Sequence, residues 1–289
     1  MRHPEWLKVK IFGTHETKKI LRHHSVSTVC EEARCPNQGS CFSAGTATFM
    51  ILGDRCTRNC SFCSVEHGKP YPPEPGEQGR VADASRALGL TFVVITSVSR
   101  DDLPDKGAGQ FAATVHALRE QGTCIQIEVL TPDFKGDVRA LRKVLDAKPD
   151  VFNHNVETVP RLYPLVRPGA NYRTSLKMLQ SSKTMNSDIH TKSGIMLGLG
   201  EKKQEVFSVM KDLREAGCDF LTIGQYLQPR KENLPVVEYI HPREFEQYRQ
   251  RGLDMGFLAV ASSPLTRSSM NAEEMYKKTN TNIEYQITK

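Results

Sequence analysis

The sequence predicts an α/β fold in which parallel strands form a barrel and helices pack on its outside. Three observations carry this expectation. Apolar, β-branched runs recur at residues 47–52, 91–96, 124–130, 150–155, 193–197, 220–224 and 256–261, each of strand length. Helical patterns lie between most of them, and strand–helix alternation of that kind builds a parallel sheet. The length of 289 residues suits one such barrel and buries a core without staples.

Taken in order, residues 1–45 read as an N-terminal extension carrying three cysteines. The run at 47–52 is the first strand, and Gly-Asp-Arg-Cys follows it in place of a glycine-rich dinucleotide fingerprint. In parallel barrels chemistry is built at the C-terminal ends of the strands, so Cys56 begins on that face. Residues 68–79 are rich in Pro and Gly and form a structured loop before the next helix. Helices follow at 110–120, 138–146 and 203–216. In the last, Val206, Val209, Met210 and Leu213 fall at i, i+3, i+4 and i+7, one face of a helix. The polar residues after the later strands ring the same mouth: Ser97, Arg100, Asp101 and Asp102; Thr131; Asn155 and Glu157; Gly198 and Gly200; Gln225 and Tyr226. The barrel is assigned to residues 46–255 and a C-terminal extension to 256–289, whose polar end from Tyr276 is expected to fray.

Composition removes several classes. No run of about 18 apolar residues exists, so no membrane span is expected. Disorder, collagen and a disulfide mini-scaffold do not fit 38% hydrophobic residues and 20 Gly. No apolar segment follows Met1, and Glu5 and Glu16 argue against an intact organellar transit peptide. A cytoplasmic protein is expected, or an organelle interior if the chain is a processed form. The net charge of +6 is ordinary solubility, although the run Arg2, Lys8, Lys10, Lys18, Lys19 and Arg22 could attract an acidic protein or a nucleic acid.

Six of the eight cysteines fall between Cys30 and Cys63. They form two triplets, Cys30, Cys35 and Cys41 (Cys-x4-Cys-x5-Cys) and Cys56, Cys60 and Cys63 (Cys-x3-Cys-x2-Cys). In a reducing compartment metal binding is the better reading of such a group. Structural zinc takes four ligands, and each triplet is one short. On a cubane iron–sulfur cluster three thiolates leave one iron open, which separates a reactive cluster from an electron carrier. Cys124 and Cys218 lie in apolar runs and read as small buried hydrophobes.

Cys56-Thr-Arg-Asn-Cys60-Ser-Phe62-Cys63 resembles the signature of the radical S-adenosylmethionine (SAM) enzymes. With the upstream triplet come Gly45-Thr-Ala-Thr-Phe-Met-Ile-Leu-Gly53, Asn153-His-Asn-Val-Glu157, Val166-Arg-Pro-Gly169, Lys192-Ser-Gly-Ile-Met-Leu-Gly-Leu-Gly-Glu201 and Gly224-Gln-Tyr-Leu-Gln-Pro229. From Arg2 to Ala272 the chain is similar to the lipoyl synthase family. The resemblance implies a partial (β/α)6 TIM-like barrel, the radical SAM core, with N- and C-terminal extensions carrying an auxiliary cluster. It implies a 4Fe-4S cluster on Cys56, Cys60 and Cys63 that chelates SAM through its open iron. It implies a second 4Fe-4S cluster on Cys30, Cys35, Cys41 and Ser268, the last taken from Arg267-Ser268-Ser269-Met270, where the family carries Tyr in place of Met270. The implied reaction inserts two sulfurs at C6 and C8 of an octanoyl-lysine on a carrier protein, using a 5'-deoxyadenosyl radical, with the auxiliary cluster consumed as sulfur donor. A hard serine ligand suits a cluster that must come apart. The implied partners are octanoylated carrier domains (a 2-oxoacid dehydrogenase E2 subunit or a glycine cleavage H protein) and an electron donor such as ferredoxin or flavodoxin. An acidic carrier domain would suit the basic N-terminal face. Ser97 and Asn155 are candidate SAM contacts, chosen from the strand ends.

The competing readings are another radical SAM sulfur-inserting enzyme, a non-catalytic iron–sulfur electron carrier, and a zinc-bearing binding module. Biotin synthase-like and transfer-RNA methylthiolating proteins share the second triplet, but the first triplet and the Ser268 stretch argue against them. No extra C-terminal nucleic-acid module is visible, so no nucleic-acid partner is expected.

Overall fold

The computed structural model describes residues 4–9, 13–121 and 125–278. Seven strands run parallel in one sheet: β1 (Thr48–Ile51), β2 (Phe92–Ser97), β3 (Gln126–Leu130), β4 (Val151–Asn153), β5 (His190–Leu197), β6 (Phe220–Gln225) and β7 (Ala259–Ser262). Their spatial order is their chain order. Six helices follow the first six strands: α1 (Glu77–Ala87), α2 (Ala108–Arg119), α3 (Val138–Asp146), α4 (Tyr172–Met185), α5 (Lys203–Glu215) and α6 (Pro242–Asp254). Among the described residues β7 pairs with β6 alone and not with β1, so six βα units and a closing strand form an open, partial barrel.

Helices α3 and α4 start where a side-chain cap satisfies free N–H groups. Asp137 accepts from Arg139 N and Ala140 N at α3, and Asn171 accepts from Thr174 N at α4. The inward helix faces are apolar: Leu141 and Val144 of α3, and Val206, Val209, Met210 and Leu213 of α5, are fully buried. Helices α1, α2, α3 and α4 pack side by side in succession over the sheet.

The sequence places the strands within a few residues of where they lie. Two departures matter. The strand expected at 193–197 begins at His190, taking Thr191 and Lys192 into the barrel. The sheet also continues past residue 255, since Ala259–Ser262 is in register with Phe220–Ile223. The N-terminal segment is stitched to the other edge, where Ser27–Thr28 pairs antiparallel with Met50 and Phe49. The loop at 68–79 opens with Glu66–His67 paired to Arg55–Cys56 and ends in α1. There the Glu77 carboxylate accepts Leu52 N at 3.0 Å and fixes the end of β1. Cys124 and the far C-terminal tail lie outside the described residues, as do Arg2 and Lys10. No described helix is long and apolar enough to cross a membrane.

Candidate functional site

The chain leaves β1 through Leu52 and Gly53, both with positive φ (70° and 84°). This tight turn throws the second cysteine triplet across the barrel mouth. Loops from four strands then hold it. Cys56 Sγ accepts N–H groups from Arg58 (3.4 Å) and Ser99 (3.3 Å). Ser61 N donates to Val166 O, and Leu234 N to Ser61 O. The Asn233 amide donates to Ser61 O and Cys63 O at 3.2 and 2.9 Å. Arg58 is the central bolt: its buried guanidinium forks onto Asp101 (2.8 and 2.9 Å) and reaches Asp133 at 2.6 Å. Burial opposes ionisation of Asp133, but the Arg58 hydrogen bond and charge outweigh it and hold the carboxyl at about 2.

The same burial acts on the thiols. Desolvation first, and then the neighbouring sulfurs, push Cys63 up to about 12 and raise Cys60, with Arg167 opposing at Cys60. Cys60 and Cys63, two neighbouring thiols that disfavour charge, fit a group that brings positive charge and takes their protons.

The first triplet is built on short helical turns. Cys30 follows Thr28, whose hydroxyl accepts Glu31 N, and Cys35 N returns to Cys30 O. Cys41 lies in the helix Gln38–Ser43. Burial pushes the Cys30 thiol up to about 12, with Cys35 and Cys41 close enough to add repulsion. Among the described residues no three His, Cys, Asp or Glu side chains converge on one point as a single metal ion needs. A cubane instead takes each thiolate on its own iron, and two partly exposed three-thiol groups suit it.

The C-terminal stretch comes back over this triplet. The Asn37 amide donates to Leu265 O at 2.6 Å and to Met270 Sδ at 3.2 Å, so Met270 has a partner where the family pattern has Tyr. Arg267 is buried near Cys35. At Gly224 a side chain would collide with the Thr266 carbonyl. Ser268 itself faces the barrel: Asn153 Nδ2 donates to its Oγ at 2.9 Å, and that hydroxyl donates to Asn155 Oδ1 at 3.0 Å. The hydroxyl therefore hangs between two barrel amides while the chain beside it clasps the Cys35–Asn37 turn.

Behind Ser268 runs a chain of buried polar groups. Lys192 Nζ meets both Glu128 oxygens at 3.1 and 2.9 Å, each side chain 1% exposed. Glu128 Oε1 accepts Asn153 Nδ2 at 2.7 Å. On the other side Asn155 Nδ2 donates to Glu157 at 3.1 Å, and burial raises the Glu157 carboxyl. Ser97 stands at the C-terminal end of β2 with its hydroxyl buried and unpartnered, as is Arg167 Nε. Buried polar atoms seldom stay unpaired, so both are open to a polar ligand at this mouth. The structure thus brings Asn155 and Ser268 together and leaves Ser97 apart with a free hydroxyl. Glu128, Lys192, Asn153 and Arg58 were not picked out as site residues. For Glu128 and Lys192 the signal was a charge inside a strand, as in Ile-Gln-Ile-Glu-Val-Leu; Asn153 and Arg58 offered none.

His154 points the other way, to Thr131 O (2.8 Å) and Ser175 Oγ (2.9 Å). Burial holds its imidazole down at about 4, against about 6.5 in an unfolded chain. The unfolded chain binds the extra proton between those values, so stability falls as pH drops through about 6.5 towards 4. The expected loss from this side chain is about 3 kcal/mol below pH 4. Urea midpoints from pH 7.5 to 4 should fall more steeply in the native chain than in His154→Gln, and equal slopes would contradict this.

A family model, the radical SAM superfamily, matches residues 50–213. The lipoyl synthase of Caldicellulosiruptor saccharolyticus is 52% identical over 277 residues, 95% of this chain and 97% of that protein. The lipoyl synthase of Rubrobacter xylanophilus is 54% identical over 274 residues, 94% and 85% respectively. Among solved structures, methylornithine synthase superposes with a TM-score of 0.55 at 14% identity, covering 98% of this chain and 95% of that one. A maturase of the FeFe-hydrogenase superposes with a TM-score of 0.59 at 11% identity, covering 92% and 67%. These two likenesses speak to the fold alone.

Proposed function

We propose, from the premise that this chain belongs to the lipoyl synthases of the radical SAM superfamily, that it inserts two sulfur atoms, at C6 and C8, into an octanoyl-lysine of a carrier protein. In this reading Cys56, Cys60 and Cys63 hold a 4Fe-4S cluster beside SAM, and Cys30, Cys35, Cys41 and Ser268 hold a second. When bound, these groups supply the electron that cleaves SAM, the radical chemistry that unactivated C–H bonds require, and the sulfur. The observation that carries the assignment is two separate three-thiol groups, with the Ser268 stretch reaching from the barrel to one of them.

The chain's own residues do the positioning. Arg58, Asp101, Asp133 and Asn233 fix the second triplet so that its thiols meet the mouth in one geometry. Ser97 Oγ and Asn155 are offered as polar contacts for SAM, and Arg167, whose guanidinium meets Asn155 O, adds an unpartnered Nε. Asn153 presents a donor to the Ser268 oxygen, and Asn155 an acceptor to its proton. When it is not a ligand, Ser268 is thereby held as a neutral hydroxyl with both hydrogen bonds made. Functionally the chain divides into the extension 1–45, the barrel 46–255 and the segment 256–289. The carrier is an E2 subunit of a 2-oxoacid dehydrogenase or a glycine cleavage H protein, the reductant a ferredoxin or flavodoxin, and the compartment the cytoplasm.

The test is an anaerobic turnover of the iron-reconstituted chain with SAM, a strong reductant and an octanoyl-lysyl peptide. Gain of two sulfurs together with 5'-deoxyadenosine is expected. Deoxyadenosine without sulfur gain would move the substrate elsewhere within the superfamily. Ser268→Ala is expected to lose sulfur gain while deoxyadenosine still forms.

A further inference from the structure

A cavity of about 450 Å³ opens at the rim of the mouth, lined by Arg34, Gln228, Pro229, Arg230, Lys231 and Glu232. Its walls come from beside both thiol groups. Arg34 occupies the positive-φ turn (φ 52°) between Cys30 and Cys35. The other wall follows β6 and is tied to the second triplet, because Arg230 pairs with Glu66 at 3.2 Å and Asn233 holds Cys63 O. Gln228 Nε2 donates to the Lys231 and Asn233 carbonyls and braces that wall.

The lining carries three cations against one carboxylate, Glu232, and two of the cations stand without a paired acid. Arg34 and Lys231 are exposed, with no side-chain ion pair or hydrogen bond among the described residues. Arg230 gives one nitrogen to Glu66, and its buried Nε has no partner. The basic N-terminal helix differs, since Lys18 and Arg22 both face Glu31, at 4.0 and 3.5 Å.

We propose that this cavity docks an acidic stretch of the carrier domain that flanks the octanoylated lysine, an inference that rests on the activity proposed above. An octanoyl-lysine is an amide and carries no charge, so the surplus of cations at the entrance does not serve the acyl arm. They suit the carboxylates of the protein that delivers it. A carboxylate met by Arg34, Arg230 and Lys231 at the rim sets the arm's entry point between the two thiol groups. Compact, concave charge also fits an acidic peptide better than the long stripe that tracks a nucleic-acid backbone.

The probe is an octanoyl-lysyl peptide made in two forms, with Asp and Glu around the modified lysine or with Asn and Gln at the same places. Binding to the iron-reconstituted full chain is read by fluorescence anisotropy at low and high salt. The acidic form is expected to bind about tenfold more tightly at low salt and to lose that advantage at high salt. The double variant Arg34→Glu with Lys231→Glu should lose the preference, keep its iron and sulfide content, and bind a Lys-flanked peptide better than the native chain does. Equal binding of both forms to the native chain, with turnover intact, overturns the docking site and spares the activity. Equal weakening of both forms in the double variant also overturns it, as does displacement of the acidic peptide by an RNA of matched charge. Failure of the native chain to bind or thiolate either form removes the proposed activity and the docking site with it.

Discussion

Cys63→Ala is expected to abolish deoxyadenosine formation and sulfur gain together, whereas Cys35→Ala abolishes sulfur gain and leaves deoxyadenosine formation in place. The asymmetry follows from where the two thiols stand. Cys63 is packed into the loop that Arg58 and Asn233 bolt over the barrel mouth, and burial pushes its thiol up to about 12. On the proposed ligand set, removing it leaves two sulfurs for a site that needs three. Cys35 belongs to the other group, in the extension clasped by residues 265–270. Each variant should lose about four irons per chain, which iron analysis reads independently of turnover. Loss of deoxyadenosine in both variants would mean that the two groups are not separate sites.

Lys192→Met is expected to cost about 3–5 kcal/mol of folding stability, because it leaves the Glu128 carboxylate buried without its cation. Both side chains are 1% exposed and the contacts are 3.1 and 2.9 Å. Glu128 also sets the Asn153 amide that reaches Ser268, so the damage should not stop at stability. Pairing Lys192→Met with Glu128→Gln removes the orphaned charge and should recover part of the loss. Urea unfolding of the two single variants and the double gives the coupling between them. Additive losses would show that the pair does not act as one unit.

The strands were legible because their cores are apolar runs of strand length, and the parallel arrangement because helical periods intervene. Where a strand carries polar residues into the barrel the reading stopped short: β5 begins three residues early, on His190, Thr191 and Lys192, whose side chains answer Asp219 and Glu128 across the sheet. The strand at 259–262 fell outside the barrel boundary for a related reason, since nothing local tells a closing strand from the start of an extension. The six clustered cysteines could be read from spacing alone. Their supports could not. Arg58 finds Asp101 and Asp133 from 43 and 75 positions away, and Ser268 finds Asn155 across 113. Such partners exist only once the sheet brings the strand ends together.

The clasp between Asn37 and Leu265 also sets a timetable. Those residues are 228 positions apart, so at the usual pace of synthesis the ribosome delivers the second roughly ten to fifty seconds after the first. All six clustered thiols are made early, while their covers arrive one strand at a time: Asp101, then Asp133, then Asn233, and last the 265–270 segment. Through that interval the first triplet is exposed to any metal or oxidant it meets. If that triplet holds iron as proposed, orderly loading belongs to the finished chain, and a slow or stalled ribosome near the end of the message lengthens the period in which it can go wrong.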